Sequence, residues 1–308
     1  MSVSDLYGEL RPRAFAIAYR MLGSVSEAED VVQEAFLRMH QTLRREEPIT
    51  SPRAYVATLT TRLAIDQLRS ARVRRESYVG EWLPEPLVTG PTPAEAAETA
   101  DSLSLAFLVL LESLSPHQRA AFLLREVFDY PYPEVAEILG TDVDSARHLV
   151  ARARDRLHDR RPRYHASRRR RDELARRFFA AAEEGDLKAL EALLTEDVTL
   201  HGDGGGRVPA WGRVISGAAQ VARTFASGMS TTARLGVRLR LTEVNGQPGA
   251  MAYDAEDRLV GVMALDIAGG RVQAIHSVVN PDKLRHVDEV SDLGLRLAAK
   301  GRRGGRAS

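Results

Sequence analysis

The stretch between Leu114 and Leu157 constrains the fold of this chain most, because it has the pattern of two short amphipathic helices joined across a glycine. In both helices the apolar residues recur at intervals of three or four, as on the buried face of a packed helix. They are Val135, Ile138 and Leu139 in the first helix, and Val143, Ala146, Leu149, Val150, Ala153 and Leu157 in the second. Gly140 permits a tight turn between them, and Asp142 can cap the helix that follows. The pattern predicts a helix-turn-helix.

The outward face of the second helix carries polar side chains that can read base edges in a major groove. These side chains are Asp144, Ser145, Arg147, His148 and Arg152. Arg154 and Arg156 are better placed for phosphates. A solvated surface helix is the alternative, but the preceding turn and helix favour DNA binding.

Positive charge is concentrated in two segments, although the formal net charge of the whole chain is only +1. Residues 141–171 contain eleven arginines and four acidic residues, a local balance of +7. Residues 62–75 contain five arginines, among them Arg62, Arg69, Arg72 and Arg75, against one aspartate. Such islands are typical of surfaces that bind a phosphate backbone. We therefore expect both segments to contact DNA.

Length and composition indicate a multidomain globular protein. At 308 residues and 44% hydrophobic content, the chain can bury more than one core. Its longest apolar run, Leu103–Leu111, is too short for a membrane span. The absence of cysteine excludes disulfides, thiol catalysis and cysteine-based zinc sites. The first residues lack a basic start followed by an apolar stretch, so we expect no secretory signal and a cytoplasmic protein.

The chain divides into blocks of different texture. The predicted divisions are a helical block at 1–75, a proline-rich linker at 76–100, a second helical block at 101–162, a basic connector at 163–171, an α+β domain at 172–286 and a flexible tail at 287–308. Ser26 and Glu29 form a potential capping box for the second helix of the first block, and Pro52 suits the start of the third. In the α+β domain, alternating polar and apolar segments predict antiparallel strands.

Both helical blocks resemble a bacterial RNA polymerase sigma factor of the extracytoplasmic-function (ECF) group. The segment EDVVQEAFLRM is similar to the region-two helix that docks on the clamp helices of the polymerase β′ subunit. That resemblance implies docking roles for Asp30, Gln33, Glu34 and Phe36, of which the first three share one helical face. The segment SPRAYVATLTTRLAIDQLRSARVRR is similar to the one that recognises and melts the −10 element, which adds Asp66 to the arginines above.

The helix-turn-helix in turn resembles region four, which reads the −35 element. The order and spacing of these segments over about 150 residues make the resemblance specific. It implies two all-α sigma domains, with the polymerase core, including the β′ clamp helices and the β flap, and promoter DNA as partners.

Further motifs resemble the ECF subgroup that carries a fused SnoaL-like C-terminal domain, an α+β cone-shaped barrel. They are Trp82-Leu83-Pro84-Glu85-Pro86 in the linker, Asp203-Gly204-Gly205-Gly206-Arg207, and Asn280-Pro281-Asp282-Lys283-Leu284. In that subgroup the fused domain implies control in cis, in place of a separate anti-sigma protein. We therefore assign cis-regulatory roles to Trp82, Pro84, Pro86, Asp203, Gly204, Gly205, Gly206, Arg207, Asn280, Pro281 and Asp282. Arg207 departs from the lysine that is commoner there, so it keeps the charge with a different geometry.

Two alternatives stay open at this stage. A ligand-sensing helix-turn-helix regulator would share the second helical block and a sensor domain, but it has no need of the first block. An isomerase or cyclase of the SnoaL-like fold would use an acid/base set, for which His201, Asp203 and His276 are the candidates. The triple glycine is a weak phosphate cradle and fits better as a backbone turn pressed on a neighbouring surface. We expect a sigma factor rather than an enzyme, with no cofactor or metal and an unidentified small molecule as a possible ligand of the C-terminal domain.

Overall fold

The computed structural model describes residues 3–45, 48–89, 102–157 and 167–304, without the side chains of 3–5, 71–76 and 300–304. The chain forms two compact units. The first contains Met1–Ser77 and Leu108–Arg161, and the second contains Tyr78–Phe107 and Pro162–Ser308. The described part of the linker therefore belongs with the C-terminal domain. No helix within the described ranges has the length and apolar composition that a membrane crossing requires.

Three helices form the N-terminal module: α1 (Val3–Leu22), α2 (Val25–Arg44) and α3 (Pro52–Glu76). The start of α2 differs from the prediction, because Ser24 rather than Ser26 is the cap and accepts a hydrogen bond from the amide of Glu27 (3.2 Å). Gly23, at φ 66°, ends α1 abruptly and brings the next helix in immediately. Pro52 begins α3 as predicted.

The second helical module confirms the helix-turn-helix. It contains α4 (Leu105–Leu111), α5 (Pro116–Phe122), a π-helical turn (Leu123–Val127), α6 (Tyr132–Leu139) and α7 (Val143–Leu157). Gly140 adopts φ 66° after α6, and Asp142 accepts a hydrogen bond from the amide of Ser145 (2.7 Å) at the start of α7. Hydrogen bonds from the backbone amide and the hydroxyl of Ser145 lower the pKa of the Asp142 carboxyl. The buried face of α7 carries Ala146 and Val150, in the predicted register.

The C-terminal domain packs helices against one mixed sheet. The helices are α8 (Arg168–Glu184), α9 (Leu187–Leu193), α10 (Ala218–Arg234) and α11 (Leu293–Gly304). The strands are β1 (Val88–Thr89), β2 (Leu194–Asp203), β3 (Ile215–Ser216), β4 (Arg238–Val244), β5 (Gln247–Tyr253), β6 (Leu259–Ala268) and β7 (Arg271–Val278). Their order is β1-β4-β5-β6-β7-β2-β3.

One pairing in this sheet corrects the expectation of antiparallel strands, because β2 runs parallel to β7. The segment between them contains α10 and four strands, so β2 reaches β7 only through a long connection that local alternation cannot reveal. The core lies on one face of the sheet, where Phe178 of α8 and Phe225 of α10 approach to 5.1 Å between ring centroids. Leu200, Leu265 and Ile275 of the central strands complete it.

The expected flexible tail at 287–308 is also corrected, since its described part is folded. Val290 pairs with Leu259 at the end of β6 in a parallel bridge. The hydroxyl of Ser291 donates to the buried carboxylate of Asp254 (2.5 Å), and α11 follows. Local patterns predict little order here, because this segment is rich in charged residues and glycine. The last predicted residues of the tail, 305–308, lie outside the described residues.

Candidate functional site

The outward face of α7 presents two basic side chains to solvent. His148 and Arg152 are both exposed, one turn apart, and neither bonds to another residue that the structure describes. Their spacing of four residues places them side by side on the helix surface. A helix with this face outward can enter a major groove with both donors towards base edges.

Four of the other predicted DNA-binding residues of α7 already have partners, whereas Arg156 is exposed and bonds to no other described residue. Arg147 pairs with Asp144 (2.9 Å), and Arg154 pairs with Glu126 (2.7 Å). The hydroxyl of Ser145 donates to the capping carboxylate of Asp142 (2.7 Å). Its hydroxyl therefore serves the start of the helix in this structure.

The basic face of α3 is turned in part towards the helix-turn-helix. Arg62 donates to the carbonyl of Ile138 (2.9 Å) through Nε and to that of Glu137 (3.1 Å) through a terminal nitrogen. Both acceptors lie at the C-terminal end of α6, where the last carbonyls of a helix lack an internal partner. Asp66 and Arg69 form an exposed ion pair (3.4 Å). Arg72 and Arg75 lie outside the residues whose side chains are described.

Two further arginines join the helical modules, and the sequence analysis missed both. Arg13 of α1 donates to the carbonyl of Phe128 (3.0 Å) and to the hydroxyl of Tyr130 (3.1 Å). Arg119 of α5, only 2% exposed, donates to the carbonyl of Arg20 (3.1 Å) and pairs with Glu112. Burial lowers the pKa of Arg20 itself to about 10. No local pattern marks such residues, because each bond joins distant parts of the chain.

Of the four residues of α2 that are predicted to dock on the polymerase, three reach the surface and one is buried. Asp30 and Gln33 are exposed, and Glu34 pairs with Arg38 (2.6 Å). Phe36, however, is 7% exposed and packs on the ring of Tyr7, so it belongs to the module core rather than to the surface. The exposed apolar side chain beside the acidic face is Leu37, which is 52% exposed. The register of α2 decides this, because position 36 falls with Val32 on the buried face.

In the C-terminal domain, Asp203 is the centre of a buried polar cluster at the end of β2. Its carboxylate is fully buried and accepts hydrogen bonds from the hydroxyl of Tyr78 (2.5 Å) and the amides of Leu83 (2.8 Å) and Gly205 (3.0 Å). The ammonium of Lys283 pairs with it at 2.6 Å. Burial and the bond to Asp203 raise the pKa of the Tyr78 hydroxyl. These donors replace the water that the buried carboxylate has lost.

Lys283 ties the same cluster to the linker. Its ammonium donates to the carbonyl of Leu83 and lies over the rings of Trp82 (4.3 Å) and Tyr78 (4.9 Å). Pro84 and Pro86 of the same linker motif are buried. The linker motif is therefore held at its backbone and at its aromatic side chains.

The glycine loop after Asp203 is shaped by close approach. Gly205 and Gly206 adopt φ 60° and 68°. A Cβ on Gly205 would lie 2.3 Å from Nδ2 of Asn280, and one on Gly206 would lie 2.8 Å from Cβ of Val79. Asn280 uses that amide to donate to the Tyr78 hydroxyl (2.8 Å). Only glycine allows the loop to meet the linker and the Asn280 motif at once.

The remaining motif residues lie at the rim of this cluster. Arg207 pairs with Asp282, and both side chains are well exposed. Pro281 begins the short 3₁₀ turn Pro281–Lys283 that positions Lys283. The arginine at 207 thus makes a surface ion pair, for which a weak contribution to stability is expected.

Beyond the motif, the linker continues as the edge strand β1. Val88 and Thr89 pair with Val244 and Glu243 of β4. Asn245, fully buried at φ 53°, accepts from the amide of Leu87 (2.8 Å) and donates to the carbonyl of Leu103 (2.9 Å). The sequence analysis did not predict this strand, since two residues are too few for a periodic signal.

The candidate acid/base residues of the alternative enzyme function lie on the sheet face that meets the linker. His201 and His276 are paired across β2 and β7, and their rings stack at 4.8 Å. His201 binds Glu81 of the linker (2.6 Å), and Nδ1 of His276 lies 2.9 Å from the carboxylate of Asp266. The large cavity of the domain is lined by Gly261, Met263 and Ser277, on the other face. The set therefore has no access to the cavity in this structure.

Three family models match the chain in this order: Sigma-70 region 2 at residues 6–74, Sigma-70 region 4 at 104–157 and a SnoaL-like domain at 175–280. The ECF RNA polymerase sigma factor SigJ of Mycobacterium tuberculosis is 38% identical over 92% of this chain and 93% of its own length. The chain belongs to the ECF RNA polymerase sigma factors. Its N-terminal module is accordingly region two, and its helix-turn-helix module is region four.

Two further comparisons agree with the assignment to this ECF sigma factor family. A probable ECF sigma factor SigI of the same organism is 32% identical over 87% of this chain and 90% of its own length. The crystal structure of M. tuberculosis SigJ is similar with a TM-score of 0.72 at 35% identity, covering 92% of this chain and 98% of that one. The predicted fold class, two helical sigma domains plus a SnoaL-like α+β domain, is confirmed.

Proposed function

We propose that this ECF sigma factor joins the RNA polymerase core in the cytoplasm and selects promoters through regions two and four, under control in cis by the linker and the C-terminal domain. The observation that carries the proposal is the presence in one chain of two helices, α3 and α7, each with exposed arginines. Neither element alone spans a −10 and a −35 element. The enzyme supplies the spacing between them.

For region four, His148 and Arg152 are the proposed base readers of the −35 element. They are exposed and have no competing bond among the described residues, whereas Arg147 and Arg154 must first leave an acidic partner. Base-edge contacts of this kind contribute about 1–3 kcal/mol of discrimination each. We assign Arg147 and Arg154 to positioning at the phosphate backbone, and Asp144 to holding Arg147 in the free protein.

For region two, α2 is the proposed polymerase-binding face. Asp30 and Gln33 supply exposed polar groups, and Glu34 borders them. Leu37 takes the apolar contact that the sequence analysis gave to Phe36, because Leu37 is the side chain available at the surface. The clamp helices of β′ are the proposed partner of this face, and the β flap is that of region four.

In the free protein, the contact between regions two and four opposes DNA binding. Arg62, a proposed −10 residue, is engaged by the carbonyls of Ile138 and Glu137. Binding of the polymerase must therefore favour an arrangement in which this contact is broken, and only a difference in affinity between the two arrangements can shift their balance. The linker offers the route for cis control, since it begins directly after α3 and is anchored at Asp203.

Run-off transcription with purified polymerase core tests the proposal. The full chain should associate with the core and start transcripts at a specific site, and a variant truncated from residue 172 onward should change the output at the same start site. Failure to associate with the core and to alter initiation would refute the sigma assignment to this chain. Unchanged output on truncation, with association intact, would refute only the cis control.

Single substitutions test the assigned surfaces. Arg152→Ala and His148→Ala should weaken binding to a −35 element and leave the affinity for the core unchanged, while Arg176→Ala, at an exposed arginine of α8, serves as the matched control. Asp30→Ala and Leu37→Ala should instead lower the affinity for the core, with Glu183→Ala as their control. Equal effects of surface and control variants would contradict the assignment.

A further inference from the structure

The C-terminal domain contains a partly open cavity of about 680 Å³ between α10, the strands and the segment that leads into α11. This volume lies in the range of sites that hold drug-sized molecules. Its wall is mostly apolar and includes Trp211, Phe225, Met263, Val279 and Leu297. Gly202 makes room for part of this wall, because a Cβ there would lie 2.8 Å from the ring of Trp211.

One polar side chain of the wall is buried and unpaired. Ser277 is 4% exposed, lines the cavity and forms no hydrogen bond through its hydroxyl with another described residue. Two other hydroxyls of the wall are engaged: that of Thr232 donates to carbonyls of its own helix, and that of Ser291 donates to Asp254. A hydroxyl that lines the cavity without a protein partner can bond to an occupant, and an occupant that left it unpaired would bind less favourably.

The charge of the wall limits the occupant further. Among the described lining residues there is no carboxylate and no imidazole, and Arg223 is the one with a formal charge. Arg223 is exposed on α10, so it lies at the rim rather than in the depth of the cavity. Transfer of an ion into such an interior is strongly unfavourable. The arrangement also lacks a base for proton abstraction within the cavity.

We infer that this cavity binds an uncharged, predominantly apolar molecule of drug-like size that presents one hydrogen-bonding group to Ser277. The segment containing Val290, Leu293 and Leu297 forms one wall, so the molecule contacts the C-terminal segment as well as the sheet. Gly294 holds this wall in place, because a Cβ there would lie 2.8 Å from Val208. The inference concerns the C-terminal domain alone and stands or falls independently of promoter binding.

Titration of the full chain with N-phenyl-1-naphthylamine tests the inference without polymerase or DNA. This probe is uncharged and aromatic, carries one N–H group and fluoresces strongly in apolar surroundings. We expect saturable binding of one molecule per chain. Thr232→Trp, which places an indole into the cavity from α10, should weaken binding by at least about tenfold. Ser230→Trp, at an exposed position of the same helix that does not line the cavity, should bind as the wild type does.

Ser277→Ala refines the test. It removes the hydroxyl with little change of volume and should weaken the probe about three- to tenfold. Circular dichroism melting shows whether each variant is folded, and the Ser230→Trp protein gives a reference for the effect of an added indole. Absence of saturable binding to the wild type, or equal affinities of the Thr232→Trp and Ser230→Trp proteins, would overturn the inference.

Discussion

Regions two and four share hydrogen bonds from two partly or fully exposed arginines to neutral carbonyls, whereas the linker is joined to the C-terminal domain by buried charge and a strand pairing. Arg13 and Arg62 make the first contact. Asp203, Lys283 and β1 make the second. An arginine exchanges a carbonyl for a phosphate with a gain in bond strength, while a buried carboxylate cannot lose its donors without a large penalty. The contact between regions two and four is therefore suited to release, whereas the attachment of the linker to the C-terminal domain is suited to persist.

The largest expected effect is at Asp203. Asp203→Ala leaves the ammonium of Lys283 buried without its carboxylate, so the free energy of unfolding of the second unit should fall by about 3–5 kcal/mol. The two tryptophans, Trp82 and Trp211, both lie in that unit, so urea unfolding followed by tryptophan fluorescence reports on it directly. Asp282→Ala, which removes only an exposed ion pair, should cost less than about 1 kcal/mol. Similar losses in the two variants would refute the permanence of the linker contact.

The next largest effect is expected at Gly205. A comparison with Gly269 separates the cost of steric crowding from the cost of backbone strain. Gly205 and Gly269 have nearly the same φ, 60° and 58°, but only Gly205 has a neighbour within 4 Å of an added Cβ. Gly269→Ala should therefore cost about 1 kcal/mol through strain alone. Gly205→Ala should cost roughly 2–4 kcal/mol, since Asn280 must also move. The same fluorescence measurement compares them, and equal costs would mean that the loop yields without disturbing the linker.

Tyr78 makes the contact sensitive to alkaline pH. Because burial and the bond to Asp203 raise the pKa of this hydroxyl above its ordinary value of 10.0, the folded unit holds the proton more tightly than the unfolded chain does. The stability from this bond is complete below about pH 10 and is lost as the pH rises beyond it. Tyr78→Phe should cost about 1–2 kcal/mol at pH 8 and reduce the loss of stability between pH 9 and 11. An unchanged pH profile in the variant would contradict this account.

The smallest effect on stability is expected at the arginines that join region two to region four. Arg13→Ala and Arg62→Ala should each change the free energy of unfolding by no more than about 1 kcal/mol. They should, however, loosen region four from region two. Since the chain has no cysteine, Ser70→Cys and Ala151→Cys provide two exposed labelling positions, and energy transfer between the dyes should decrease in the double arginine variant. Unaltered transfer would show that these arginines do not maintain the contact.

Local signals were sufficient for the helices and the helix-turn-helix. Gly140 and Asp142 mark the turn and the cap, and the apolar spacing in α7 sets its buried face. The start of α2 was misplaced because Ser24 and Ser26 are both good caps, and only the end of α1 at Gly23 selects between them. Phe36 was misjudged for a related reason, since a resemblance names a segment but not the depth of each side chain.

Long-range features escaped the sequence. The parallel pairing of β2 with β7 and the bond from Asn245 to the linker each join residues far apart in the chain. Arg13, Arg119 and Tyr78 look like ordinary surface residues when read locally, and their partners are known only from the fold. The motif around Asp203 was identified by resemblance, yet the reason for its glycines is the close approach of Asn280 and Val79.

Successive side chains of β2 and β7 point to opposite faces of the sheet. His276 and Ser277 are neighbours in the chain, but one faces the ring of His201 and the other faces the cavity. In the same way, Gly202 lies against Trp211 on the cavity side, whereas its neighbour Asp203 bonds to Tyr78 on the other side. An occupant that displaced the backbone of either strand by a fraction of an ångström would move groups on both sides of the sheet together. A single peptide unit therefore separates the residues that line the cavity from the residues that hold the linker.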